Sequence, residues 1–295
     1  MHALRNDILT DRLIAAQRPS GAWAYSARGA GAAEPTALGT LALLSRPDME
    51  ARPAATRGAE WLASIQKSGG EVPVSAELAG PCWPTSLAVL AWLRADAGRF
   101  RDSVTRAVRW MLACTAKTSS VRTAEHQHDA SLVGWAWVDG THSWVEPTAY
   151  AMLALRAAGH AAQPRFDEAQ RLIVDRAIPS GGWNYGNTQV LANTLRPFPE
   201  TTGVALAALA GGPRLAAVER GIEFLGAELP RIRSPLALGW GLIGLAAWDA
   251  RPAAAAEWLS EAIDRLAERP ANPQHDALLL IAASPPWIGR WGEAA

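Results

Sequence analysis

Three glutamates hold one recurring position in this chain, each heading a threonine- and alanine-rich run: Glu34-Pro-Thr-Ala-Leu, Glu146-Pro-Thr-Ala-Tyr and Glu200-Thr-Thr-Gly-Val. A carboxylate at such a place has two uses. At a helix N-terminus the dipole and the free N–H groups favour it. Where burial raises its pKa it can also serve as a proton donor or acceptor. Both uses stay open for Glu146. Trp135, Trp137 and Trp144 stand just ahead of Glu146, and Trp83 heads a further copy, Trp83-Pro-Thr-Ser-Leu. Aromatic walls beside an acid can hold an isoprenoid, stabilise a carbocation or stack on a sugar. Three such glutamates facing one cavity would ring its mouth with acid, which suits a cationic or polyol ligand better than a diphosphate.

The stretch from about Lys117 to Val145 holds His126, His128 and His142 among the six histidines. Connections this long are usually functional or disordered. Asp129 and His128 are candidate acid/base partners for Glu146. His126 and His128, as His-x-His in an extended loop, are weak candidates to ligate a metal; a hydrated polar loop is the plainer role. A second polar loop supplies Tyr185 and Arg196, the latter able to anchor an anionic group or simply to face solvent. The sequence has neither a Walker loop nor a dinucleotide fingerprint, and no cofactor is expected.

The elements that must position these residues repeat along the chain. Apolar runs begin at Glu34, Trp83, Glu146 and Glu200, with weaker copies at Ser234 and His275. Each is apolar on nearly every side, as a helix buried all round must be. Proline at the second position suits a helix's first turn. Between them lie amphipathic, charged segments, such as Thr56–Leu62, Thr105–Leu112 and Val218–Leu225, with apolar residues at three- and four-residue steps. A period of roughly 50 residues gives about six pairs. The expected fold is all-α, an (α/α)6 toroid spanning residues 1–295 as a single domain. The inner runs are too apolar for the exposed concave face of an open solenoid.

The 28 basic and 28 acidic residues balance, so no net charge draws the chain to nucleic acid. Cys82 and Cys114 are the only cysteines, too few for a disulfide scaffold or a four-cysteine zinc module. No stretch is long and apolar enough for a membrane span, which leaves peripheral membrane contact open, and no apolar leader is visible. The expected location is cytoplasmic. Fourteen tryptophans against three tyrosines are partly explained by the repeat: Trp61, Trp110 and Trp258 fall at matching outer-helix places and are expected in the core.

The loops ahead of the apolar runs carry Gln17-Arg-Pro-Ser-Gly21-Ala-Trp23, Gln66-Lys-Ser-Gly-Gly70-Glu-Val72, Gly134-Trp135 and Gly182-Trp183. This pattern resembles the QW motif of the prenyltransferase and squalene-oxidase repeat family, which includes squalene–hopene cyclases, class II terpene cyclases and protein prenyltransferase β subunits. The resemblance runs from about Gln17 to Ala210. It implies a structural role for Gln17, Trp23 and Gln66. Class II cyclases of that family carry Asp-x-Asp-Asp-Thr-Ala, whose middle aspartate is the proton donor. Here Trp144-Val-Glu146-Pro-Thr-Ala stands in its place, so one acid remains and its supporting acids are missing. The prenyltransferase zinc pattern is absent as well, since Gly80 and Leu112 stand where its aspartate would precede Cys82 and Cys114.

The expected function is a terpene-cyclase-like enzyme working by acid/base cyclisation or isomerisation on a small hydrophobic substrate such as an isoprenoid. Glu146, Asp129 and His128 form its catalytic set. Trp83, Trp135, Trp137, Trp144, Glu34, Glu200, Tyr185 and Arg196 are its substrate contacts. A non-catalytic ligand-binding protein on the same barrel and a carbohydrate-active (α/α)6 enzyme are the alternatives.

Overall fold

In the computed structural model, residues 2–46, 50–119, 128–191 and 193–284 are described, with backbone alone for 2–6. Twelve helices occupy them. Six are amphipathic: α1 (His2–Ala16), α3 (Arg52–Ser64), α5 (Arg101–Ala113), α7 (Pro164–Asp175), α9 (Ala216–Glu228) and α11 (Ala255–Ala267). Six are apolar: α2 (Ala33–Leu44), α4 (Thr85–Asp96), α6 (Val145–Ala157), α8 (Pro199–Leu209), α10 (Pro235–Ala246) and α12 (Pro273–Ala283). The apolar helices pack in the order α2, α4, α6, α8, α10, α12, and α12 returns to α2. The ring is therefore closed, and the amphipathic helices pack around it.

Sequence chemistry explains both layers. In α6 every residue from Pro147 to Leu155 is buried, so no polar stripe is needed. In α7 only Phe166, Ala169, Leu172 and Ile173 are buried, a three- and four-residue spacing that faces one side inward. Each fully buried leucine stabilises by roughly 1.5–3 kcal/mol. Proline at the first or second position starts α3, α7, α8, α10 and α12. Gly159 and Gly211, both at positive φ, follow the ends of α6 and α8, as left-handed C-terminal turns require.

The QW-like loops are built alike. Gln17 Nε2 donates to the carbonyls of Gly21 and Ala54 at 2.9 and 2.8 Å. Gln66 Nε2 repeats this with Gly70 and Ser103, both at 2.9 Å. A threonine in the first turn of four inner helices takes the backbone N–H of the loop: Thr36 from Trp23, Thr85 from Val72, Thr148 from Trp135, Thr202 from Trp183, at 2.8–2.9 Å. The indole N–H groups of Trp23, Trp135 and Trp183 then donate to the outer-helix carbonyls of Leu13, Met111 and Ile173. In three of the four loops one hydroxyl and one indole thus tie the loop to both layers, and in the second, where Val72 replaces the tryptophan, the hydroxyl alone ties it to the inner helix.

All the long connections run from an outer helix to the next inner one, on one face of the ring: 17–32, 65–84, 114–144 and 176–198. The equivalent connections 229–234 and 268–272 are short. The mouth therefore has a high rim on one side and a low rim on the other. A small hairpin of β1 (Gln189–Val190) and β2 (Asn193–Thr194), not anticipated from sequence, stiffens the last long loop.

Candidate functional site

The inner-helix N-termini open on the face of the long loops, so Glu34, Glu146 and Glu200, each in the first turn of its helix, stand at one mouth. Glu146 Oε1 accepts a 2.7 Å hydrogen bond from Thr201 Oγ1. Burial pushes its pKa up to about 7, the Thr201 bond opposes the rise, and the charges of Glu200 and Glu34 add to it. Glu34 accepts from Tyr25 Oη at 2.5 Å and from Gln274 Nε2 at 2.9 Å. Its pKa is also raised, by burial, against the pull of those two donors. In this poorly solvated setting the Glu34 charge adds to the tightness with which Glu146 holds its proton.

Beneath the carboxyls lies an aromatic column. Tyr150, one turn after Glu146 on α6, is 4% exposed. It stacks on Trp83 at 5.9 Å between centroids and meets Trp240 of α10 at 5.7 Å. Trp137 closes on Trp83 edge to face at 4.8 Å. Burial, then Glu146 and Glu34, drive the Tyr150 phenol well above its usual pKa, so it stays neutral. The Trp240 indole N–H is buried with no acceptor among the described residues.

The rim completes the picture. Tyr185 is 48% exposed, and its pKa is raised by burial and then by Glu146 and Glu200. Its ring meets Phe198 at 5.0 Å, and the Arg196 guanidinium lies 5.7 Å over that same Phe198. Trp144 covers Gly186, where an added Cβ would stand 3.2 Å from its ring. The α7–α8 loop thus brings Tyr185 and Arg196 onto the same Phe198, with Tyr185 near the charges of Glu146 and Glu200.

Other expected residues lie elsewhere. Asp129 is held at the outer rim. Its N–H donates to Asp175 Oδ2, its carbonyl accepts from Arg176, and its Oδ1 takes the Ser131 N–H and hydroxyl. It is tied to the end of the outer helix α7 and is absent from the charges acting on Glu146. His128 precedes it there, so a triad of Glu146, Asp129 and His128 is not assembled. His126 lies outside the described residues, and among the described residues no group of three His, Cys, Asp or Glu is placed to hold a metal. Trp135, 5% exposed, fills the architectural place of Trp23 and Trp183 rather than forming a free wall.

Sequence reasoning passed over Tyr25, Gln274, Tyr150, Thr201 and Trp240. Tyr150 could have been found as the residue one helical turn below Glu146. Cys82 and Cys114, on different repeats, meet in one small pocket with Trp83, Trp110, Trp137 and Asp139. Burial chiefly, then nearby carboxylates, push their thiols up to about 11 and about 12, so both are protonated near neutrality.

No protein-family model and no curated protein matches this sequence. Solved structures do resemble the fold. The type II terpene cyclase MstE from Scytonema, in complex with geranylgeranyl dihydroxybenzoate, gives a TM-score of 0.61 at 16% identity over 92% of this chain and 80% of that one. A protein from Actinoplanes gives 0.63 at 15%, covering 96% and 98%. An alpha-amylase from Clostridium perfringens gives 0.62 at 11%, covering 95% and 97%. The fold is thus an all-α toroid like that of the terpene cyclase, one that the amylase's fold also resembles. No helix among the described residues is long and apolar enough to cross a membrane.

Proposed function

We propose that the protein, read as one domain over residues 1–295, is an enzyme of terpene-cyclase-like type acting on a small hydrophobic substrate by acid/base chemistry. The observation that carries this is the Glu146 carboxyl, with a pKa near 7, set above the column of Trp83, Tyr150 and Trp240. A carboxylic acid half-protonated near neutrality is suited to general acid or base work. It is far too weak an acid to protonate an isolated alkene. It suits an epoxide or carbonyl oxygen on an isoprenoid-like chain, whose protonation draws electrons from the neighbouring bond. The aromatic faces beneath would then stabilise developing positive charge. Trp83 and Trp137 would hold the chain, Tyr185 and Arg196 would guard the rim, and Glu34 would tune the proton on Glu146.

A second reading rests on the Glu34 cluster. Two carboxyls with different hydrogen-bond partners beside aromatic rings also suit a polyol, and paired carboxyls cleave glycosides. One experiment separates the two. Purified protein is incubated with isoprenoid epoxides and ketones, and separately with oligosaccharides, with products read by mass spectrometry. Isoprenoid turnover that vanishes in Glu146→Gln supports the first reading. Turnover of oligosaccharides alone replaces it with the second.

A further inference from the structure

The low side of the rim carries a groove that the chemistry at Glu146 does not use. It has a volume of about 630 Å³ and runs between α11 and the first turns of α10 and α12. Among the described residues its polar side chains come from Arg233, Arg265, Arg269, His275, Ser234 and Asn272, and none of these is a carboxylate, Glu261 being paired with Arg233. In a chain with equal numbers of acidic and basic residues, that is a marked segregation of charge. The acidic mouth around Glu34 and this cationic groove lie on two sides of one helical turn: Gln274 donates to Glu34, and His275 faces the groove.

The frame of the groove is fixed, and two of its three arginines have no acceptor among the described residues. Arg12 donates from Nη1 to the carbonyl of Arg269 and from Nε to Asp276. That ties the 268–272 loop to α1. Asn272 Oδ1 takes the N–H of His275, leaving its amide N–H₂ available. Arg233 is held by Glu261 and by the carbonyls of Pro230 and Ile232. The guanidinium groups of Arg265 and Arg269 have no acceptor among the described residues. Two guanidinium forks with no acceptor among the described residues, on a braced backbone, match oxygens held in a fixed geometry, above all those of phosphate.

We propose that this groove is a binding site for a phosphate or diphosphate group, with Arg265 and Arg269 as its main ligands and Ser234, Asn272 and His275 as hydrogen-bond partners. The site stands whether or not Glu146 is catalytic. The test is calorimetric titration of the full chain with inorganic phosphate and with pyrophosphate at moderate salt, repeated on R265A/R269A. Both positions are exposed, so the double variant should fold; its circular dichroism checks this. A second double variant, R101A/R109A, removes two arginines from a different groove. Pyrophosphate should bind the wild type and R101A/R109A alike and bind R265A/R269A at least about tenfold more weakly. Stronger binding of pyrophosphate than phosphate marks a diphosphate site, and equal binding marks a monophosphate site. No binding to the wild type, or equal binding to R265A/R269A, overturns the proposal.

Discussion

Thr201 of α8 donates a hydrogen bond to Glu146 of the neighbouring inner helix α6, 2.7 Å from oxygen to oxygen. Both protonation states of Glu146 can accept it, but it favours the anion. It is the one stabilising contact set against burial and two neighbouring charges, and the balance leaves Glu146 with a pKa near 7 instead of its ordinary 4.5. Because the folded state holds that proton more tightly than the unfolded chain, stability falls as pH rises from about 4.5 to about 7 and is flat beyond. Glu146→Gln keeps an acceptor for Thr201 and mimics the neutral acid. It should match the wild type near pH 4 and exceed it by on the order of 2 kcal/mol above pH 7. Urea unfolding at both pH values measures this, and equal stability at pH 8 would show that Glu146 is well solvated.

Activity should follow the same proton. With Glu146 as the general acid, kcat/KM is constant below about pH 6 and falls about tenfold per unit above 7. Thr201→Val removes the bond that favours the anion, so the falling limb should move to higher pH. Tyr25→Phe acts in the other direction. It removes a donor from Glu34, leaves Glu34 more fully protonated, and so weakens the charge that raises Glu146. Its limb should move to lower pH. Shifts of the same sign in both variants would exclude the proposed coupling of the two carboxyls.

The aromatic column makes a separate prediction. Trp83 stacks on Tyr150 and takes the edge of Trp137. Each such pair contributes about 0.5–1.5 kcal/mol beyond area burial. Trp83→Ala should therefore cost about 2 kcal/mol of stability and weaken a hydrophobic ligand about tenfold, while Trp83→Phe restores most of both. Titration of the remaining tryptophan fluorescence with a long-chain isoprenoid alcohol reads the affinity. Unchanged affinity in Trp83→Ala would place the ligand elsewhere.

The ring and the three glutamates were legible in sequence because both are written in the repeat. The alternation of apolar and amphipathic runs sets the helix pairs, and Glu34, Glu146 and Glu200 share one register. Most partners of the site residues were not legible, because they come from other repeats: Thr201 of α8 on Glu146, Gln274 of α12 on Glu34 and Trp240 of α10 on Tyr150. Asp129 and His128 misled for the opposite reason. They lie close to Glu146 in sequence, but the loop that carries them passes over the outer helix α7 before it turns inward. Trp135, expected as a substrate contact, makes the same hydrogen bonds to the outer helix and the inner threonine, Met111 and Thr148, as Trp23 and Trp183 make to theirs. The small residues of α8 and α10 set how closely two inner helices approach, which an apolar run by itself does not reveal.

That approach gives a prediction about the ring itself. Gly203 of α8 lies directly against the backbone of α10. A Cβ there would overlap the Trp240 carbonyl, and one on Gly244 would come within 2.5 Å of the Gly203 carbonyl. Backbone on both sides cannot yield as a flexible side chain does, so Gly203→Ala must push the two helices apart. The expected cost is about 2–3 kcal/mol, the usual scale of overpacking. Moving α10 also shifts Trp240 from Tyr150, so ligand affinity should fall along with stability. Gly226, inside α9 and exposed, has nothing within 4 Å of an added Cβ. Gly226→Ala should instead stabilise the protein by roughly 0.5–1 kcal/mol through helix propensity alone, with no effect on the site. Thermal unfolding of the two variants side by side tests the packing. A neutral Gly203→Ala would mean that the inner ring has slack at the α8–α10 seam, and Trp240 could not then be rigidly held beneath the carboxyls.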